Sequence, residues 1–226
     1  SSFTVGLLNA LHALRGNMVS KRQLAMDAIH VEQERIKEHV GSQDQFIAAF
    51  GGFNKITFAA NHNIMVQPLT VNQERLNQFQ DHLMLFFTGF SRKASEIAEE
   101  QIKQTPKKAN ELKTMRAMVS EAVEILNSKR DLDELGKLLH ETWQIKRSLT
   151  SKISNQAIDE IYEAAIKAGA CGGKLLGAGG GGFILFFVRP ENQPKVREAL
   201  GKLLYVPFRF EHLGSQIIYY GPNRNL

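Results

Sequence analysis

Apolar residues recur along this chain with two different periods, and the change between them marks its elements. In FTVGLLNALHALR, residues 3–15, they return every three or four positions, which predicts a helix stopped by Gly16. Ser20 and Gln23 have capping-box spacing and open a second helix over roughly 21–38, charged along one side. GSQDQFIAAFGGFN (41–54) predicts a short helix at its centre. KITFAANHNIMVQPL (55–69) alternates apolar and polar on either side of Asn-His-Asn, the pattern of a hairpin. Residues 70–78 are polar and read as a boundary between two domains, 1–75 and 76–226.

Beyond that boundary HLMLFFTGF (82–90) predicts a buried strand with a turn at Gly89. Helices are expected near 93–104, 110–128, 131–148 and 155–168. The second carries Leu112, Met115, Val119, Ala122 and Leu126 on one stripe. The third opens with Asp131 and Glu134 as a capping pair and buries Leu135, Leu138, Leu139 and Trp143. The fourth places Ile158, Ile161, Ala165 and Ile166 on one face. A strand near Gly173–Leu176, a glycine loop, a strand Phe183–Val188, a helix (193–203) and two short strands (205–211 and 215–220) complete the reading. The predicted class is α/β (α+β): a helical N-terminal part, then an antiparallel sheet covered by helices.

Composition narrows the function. Of 226 residues, 43% are hydrophobic and 23% charged, which is globular rather than disordered. A net charge of +5 suits anionic ligands, but the basic residues form no dense tract, so nucleic acid is not the expected partner. No apolar run reaches the roughly 20 residues of a membrane helix. A single cysteine, Cys171, excludes a disulfide framework and fits a reducing, cytoplasmic setting; it reads as a small buried thiol. The chain starts Ser1-Ser2-Phe3, without Met and directly in a helical pattern, and is expected to lie inside a longer protein. Alone it is expected not to bind ATP tightly. The sequence leaves the oligomeric state open.

Two stretches carry candidate chemistry. In KLLGAGGGGFILFF (174–187), Gly177, Gly179 and Gly182 satisfy G-x-G-x-x-G. That fingerprint needs a helix after the glycines, and Phe-Ile-Leu-Phe-Phe-Val reads as a strand. No Gly-Lys-Ser/Thr closes a Walker loop. A plain hairpin turn remains possible, but five glycines in six positions (Gly177 and Gly179 to Gly182) cost order and packing. Consecutive backbone N–H groups can instead form an anion-holding concavity. In VEQERIKEHVGSQDQFIAAFGGFN, Glu32 ends one helix and Asp44 follows on a turn. One carboxylate could hold Mg²⁺ and the other orient or deprotonate a hydroxyl. Glu32 lies among Glu34, Arg35, Lys37 and Glu38, so a solvated helix face is the plainer reading of it.

These stretches resemble, in order, three parts of the GHMP kinases of sugars and small metabolites. The Ser1 to Leu8 start is similar to the tail of the family's second motif, the Asp44 segment to its magnesium and active-site segment, and KLLGAGGGGF to its third motif. The Gly-Ser-Gln-Asp-Gln turn, Phe-Thr-Gly-Phe-Ser-Arg (87–92) and the 140–147 stretch most resemble the branch acting on D-glycero-D-manno-heptose 7-phosphate. The resemblance implies transfer of the γ-phosphate of ATP to a sugar's anomeric hydroxyl, in a cleft between two domains, the N-terminal one incomplete here. It implies Asp44 as base or orienting carboxylate, Glu32 as Mg²⁺ ligand, and Ser1, Ser2, Gly177, Gly179, Gly180, Gly181 and Gly182 at the nucleotide. Arg92, Lys146, Arg147 and Lys174 are candidate cations for a sugar phosphate, Arg92 and Lys174 foremost. Another GHMP kinase, for fucose or galactose, or a binding protein on the same fold that has lost catalysis, are the alternatives.

Overall fold

The computed structural model describes residues 1–61, 63–89 and 94–221, without the side chains of Ala94 and Ser95. Its contacts divide into two compact units, Ser1–Leu69 with Phe210 onward, and Thr70–Arg209. The boundary thus lies close to the polar stretch expected to hold it. The C-terminal tail, however, packs with the first unit and not with the sheet domain to which 76–226 assigned it.

The first unit starts with α1 (Ser2–Leu14) and α2 (Lys21–Ile29). Ser20 caps α2 by accepting from the Gln23 N–H at 3.1 Å. The Gln23 side chain turns forward to Asp27 at 2.7 Å, so only half of the capping box forms. Helix α2 widens into a π-helical turn, His30–Arg35, rather than continuing as an α-helix to 38. Then come α3 (Gln43–Phe50) and the antiparallel hairpin β1 (Asn54–Phe58) and β2 (Ile64–Pro68), with Ile56 opposite Val66. Val5, Leu24, Ala25, Ala28, Phe46, Ala49 and Ile64 form one apolar core. The tail is stitched to it by backbone: Ser215 donates to Ala48 O at 2.8 Å and Gly52 to Glu211 O at 2.9 Å. Lys21 Nζ bridges Phe50 O and Leu213 O, both at 2.7 Å. The tail adds no strand at 215–220.

The second unit opens with α4 (Gln73–Asp81), a helix inside the stretch read as linker. Asn72 caps it with bonds from the N–H groups of Glu74 and Arg75. Strand β3 (Leu83–Phe87) follows, then α5 (Ala94–Gln104), α6 (Ala109–Leu126), α7 (Asp133–Arg147) and α8 (Gln156–Lys167). The chain closes this unit with β4 (Ala170–Leu175), β5 (Phe183–Val188), α9 (Gln193–Ala199) and a two-residue β6 (Leu204–Tyr205). The sheet is antiparallel, in the order β4-β5-β3-β6. It is the helix-covered antiparallel sheet the sequence predicts.

Trp143, Ile153, Ile158, Tyr162, Leu175, Ile184 and Phe186 fill the core beneath the helices. Gly136 of α7 and Gly172 of β4 let helix and strand meet backbone to backbone: a Cβ on Gly172 would lie 1.9 Å from Gly136 O. Two expectations fail here. Glu134 does not cap α7 but pairs with Arg130. On α6 the predicted stripe holds only in part: Leu126 is buried and Met115 and Ala122 are half-buried, but Leu112 is 36% and Val119 48% exposed, and Ile125 outside the stripe is buried.

Candidate functional site

The acidic constellation lies in the first unit, and the π-helical turn builds it. Ile36 N donates to Val31 O at 2.9 Å, a five-residue step, and Glu38 N closes onto Glu32 O at 2.9 Å. Within this turn Glu32 is only 4% exposed, so it is not on the solvated face that its charged neighbours suggested. Its Oε2 accepts from Ser1 Oγ at 2.9 Å and from Gln45 Nε2 at 2.6 Å. Burial alone would raise its pKa. The side-chain bonds from Thr4, Ser1 and Gln45 outweigh burial and hold the carboxyl below its ordinary value. Glu32 is therefore an ionised oxygen donor at neutral pH.

Gln45, fully buried one residue into α3 from Asp44, fixes that carboxylate and leaves its own Oε1 without a partner. Sequence reading passed over Gln45, although its place beside Asp44 in a polar turn was the available signal. Asp44 itself is exposed in the first turn of α3. Ser2 is exposed at the start of α1. The structure thus brings Ser1, Glu32 and Gln45 together, with Asp44 on the helix that carries Gln45.

The glycine loop belongs to the second unit, between β4 and β5. Leu176 N to Phe183 O at 2.8 Å closes the hairpin beneath it. Gly177, Gly179, Gly180, Gly181 and Gly182 all have positive φ, from 72° to 156°, which side chains resist. At Gly179 a Cβ would also lie 2.8 Å from the backbone of Ile153. Around Gly177 and Gly182 there is open space.

Three of the loop's carbonyls are occupied. Lys146 Nζ donates to Gly177 O at 2.6 Å, Gln101 Nε2 to Ala178 O at 2.6 Å, and Thr88 to Gly182 O through its N–H at 2.8 Å and its hydroxyl at 2.9 Å. Gly180 N donates to Ile153 O at 2.9 Å. Among the described residues nothing accepts from the N–H groups of Gly177, Ala178, Gly179, Gly181 and Gly182. A loop whose backbone donors stand open in this way attracts anions.

Two lysines reinforce that sign. Lys146, from α7, is held down at about 8, first by burial and then by the nearby charge of Lys174. Burial also lowers Lys174, on β4. Arg147 is committed elsewhere, to Asp159 at 3.0 Å. Arg92 lies outside the described residues. Cys171 is a partly buried thiol, and burial, with the Asp133 carboxylate beside it, raises its pKa and disfavours the thiolate.

Among the described residues no three His, Cys, Asp or Glu side chains gather as a metal site. That does not count against Mg²⁺, which commonly takes one or two carboxylates and completes its shell with water and phosphate. Glu32, the Ser1 hydroxyl and the orphaned Gln45 Oε1 are hard oxygen donors of the fitting kind. No helix among the described residues is long and apolar enough to cross a membrane.

The family described as GHMP kinases C terminal matches residues 118–206. The chain is 31% identical over 204 residues to a D-glycero-alpha-D-manno-heptose 7-phosphate kinase of Campylobacter jejuni, covering 89% of this chain and 60% of that protein. It is 23% identical to a galactokinase of Pyrococcus furiosus, over 88% of this chain and 62% of the relative. In structure it superposes on a D-glycero-D-manno-heptose 1-phosphate kinase of Bacteroides thetaiotaomicron with TM-score 0.66 and 25% identity, covering 94% of this chain and 60% of that one. A mevalonate kinase shares the fold at TM-score 0.70 and 21% identity, over 92% of this chain and 62% of that one. The chain spans about 60% of the length of these relatives.

Proposed function

Since the chain carries the GHMP kinase C-terminal domain and its relatives are sugar kinases of that family, we propose that it belongs to an ATP-dependent kinase that phosphorylates the anomeric hydroxyl of D-glycero-D-manno-heptose 7-phosphate. The glycine loop carries the reading. Its open N–H groups and the desolvated Lys146 bonded to it suit a polyphosphate, and phosphoryl transfer depends chiefly on positioning and charge neutralisation.

Glu32, kept ionised, with the Ser1 hydroxyl against it, would hold Mg²⁺. When bound, that ion supplies neutralisation of the phosphate oxygens. Gln45 orients Glu32 by donating to its Oε2. Asp44 aligns the anomeric hydroxyl or takes its proton as the O–P bond forms. Ser2 serves with Ser1 at the nucleotide. Lys174, with Arg92, meets the phosphate already on the sugar. Residues 1–75 are read as part of the nucleotide-binding domain and 76–226 as the C-terminal domain, except that the tail from Phe210 packs with the former.

The test is a turnover assay of the full-length protein with Mg-ATP on a panel of heptose 7-phosphate, galactose, fucose and mevalonate. Selective phosphorylation of heptose 7-phosphate at C1 supports the assignment. Preference for an unphosphorylated sugar replaces the substrate, and ATP binding without turnover on any of them leaves a binding protein.

A further inference from the structure

A run of glycines has little intrinsic preference among backbone conformations, and unaided it would spend its binding energy on becoming ordered. Here the order comes from outside the loop. Lys146 reaches Gly177 O from α7, and Gln101 reaches Ala178 O from α5, each at 2.6 Å. Thr88, just beyond β3, closes the far end on Gly182 O at 2.8 and 2.9 Å. These three elements are separate, and neither helix belongs to the β4–β5 hairpin.

The planar trans peptide turns each of these bonds into an instruction about the next amide. Fixing a carbonyl points the N–H of the following residue the opposite way. Lys146 on Gly177 O therefore aims the N–H of Ala178, and Gln101 on Ala178 O aims that of Gly179. Both are among the loop's open donors. The bond from Gly180 N to Ile153 O adds a fixed point directly after them. Lys146 also touches Leu175 O at 3.5 Å, at the root of the loop.

We propose that Lys146 and Gln101, with Thr88 at the exit, are positioning residues that clamp the carbonyls of the glycine loop so that the N–H groups of Ala178 and Gly179 stand preorganised for the phosphates of ATP. This rests on the reading of the loop as the polyphosphate site. Gln101 is the decisive member. It is uncharged, so its removal takes away loop geometry and no attraction for phosphate. Lys146 supplies both.

Gln101→Met and Lys146→Met in the full-length protein test this, with Mg-ATP titration, amide exchange of the ligand-free protein, and melting. Loss of one charge-free bond predicts a rise of about tenfold in the ATP Kd for Gln101→Met, with a larger rise for Lys146→Met. Exchange at Gly180, whose N–H is bonded to Ile153 O directly after the clamped peptides, should quicken in both, and the KM for the sugar should hold. Unchanged ATP affinity and unchanged exchange in a folded Gln101→Met would overturn the clamp. If one variant fails to melt cooperatively, the other decides. If the wild type binds no ATP, the kinase reading falls, while amide exchange in the variants still settles whether the clamp exists.

Discussion

The two candidate regions solve opposite electrostatic problems by opposite means. In the first unit a side chain carries the charge: Glu32 is buried, ionised, and held by Ser1 and Gln45. In the second unit the backbone carries most of the polarity: Gln101 only holds it in place, and Lys146 holds it and adds its own charge. A carboxylate suits a cation and an array of N–H groups suits an anion. Magnesium nucleotide presents both. The difference also predicts how each region fails. A side-chain site is lost by changing one functional group at constant shape, whereas a backbone site is lost by adding a methyl group.

The largest effect is expected in the carboxylate region of the full-length protein. Asp44→Asn should lower kcat by about 10²- to 10⁴-fold with nucleotide affinity kept, because an exposed first-turn residue can be changed without disturbing the core. Glu32→Gln should instead raise the Mg²⁺ concentration needed for half-maximal rate. Steady-state kinetics across a magnesium series separates the two, and near wild-type turnover of Asp44→Asn removes it from the mechanism.

In the backbone region, two glycine substitutions sharpen the contrast. Gly172→Ala drives a methyl group into the Gly136 carbonyl and should cost about 3 kcal/mol of stability or more. Gly177→Ala meets only open space at φ 72° and should cost about 1 kcal/mol, while weakening ATP binding. Denaturant melts compare them; equal losses would mean that the loop is packed structure rather than an open site.

The smallest effect is with pH. Lys146 sits at about 8, below its ordinary 10.5, so the folded chain releases this proton before the unfolded chain does. Stability without ligand should therefore rise from pH 8 toward 10, and ATP affinity should fall over the same window as the charge is lost. Lys146→Met should flatten both curves, measured by melting and by titration calorimetry.

The sequence shows most of the fold because most elements are strongly periodic: β5 and α8 bury what their patterns say, and the β1–β2 hairpin pairs as its alternation predicts although only Ile64 of it is buried. It does not show α4, whose Gln, Glu, Arg and Asn residues look like linker until Asn72 caps it and Leu76 is buried. On α6 the periodicity is real, but the buried face is chosen by tertiary packing, which a single stripe cannot reveal. The glycine loop was legible in composition, but its clamp was not: Lys146 read as a candidate cation for a sugar phosphate and not as a partner of the loop, and nothing marked Gln101. Glu32 was legible as a candidate and misleading as a helix face, because the π-helical turn changes the angle at which successive residues leave the axis.

The tail from Phe210 onward has a consequence for how the protein is made. The stretch of chain that lies against Ala48, Gly51 and Gly52 leaves the ribosome roughly 160 residues after its partners. During synthesis the first unit must wait, with its Gly51 seat open, while the whole sheet unit is produced and is free to fold first. Completion of the carboxylate-bearing half is then a late event, timed by the arrival of Gly214.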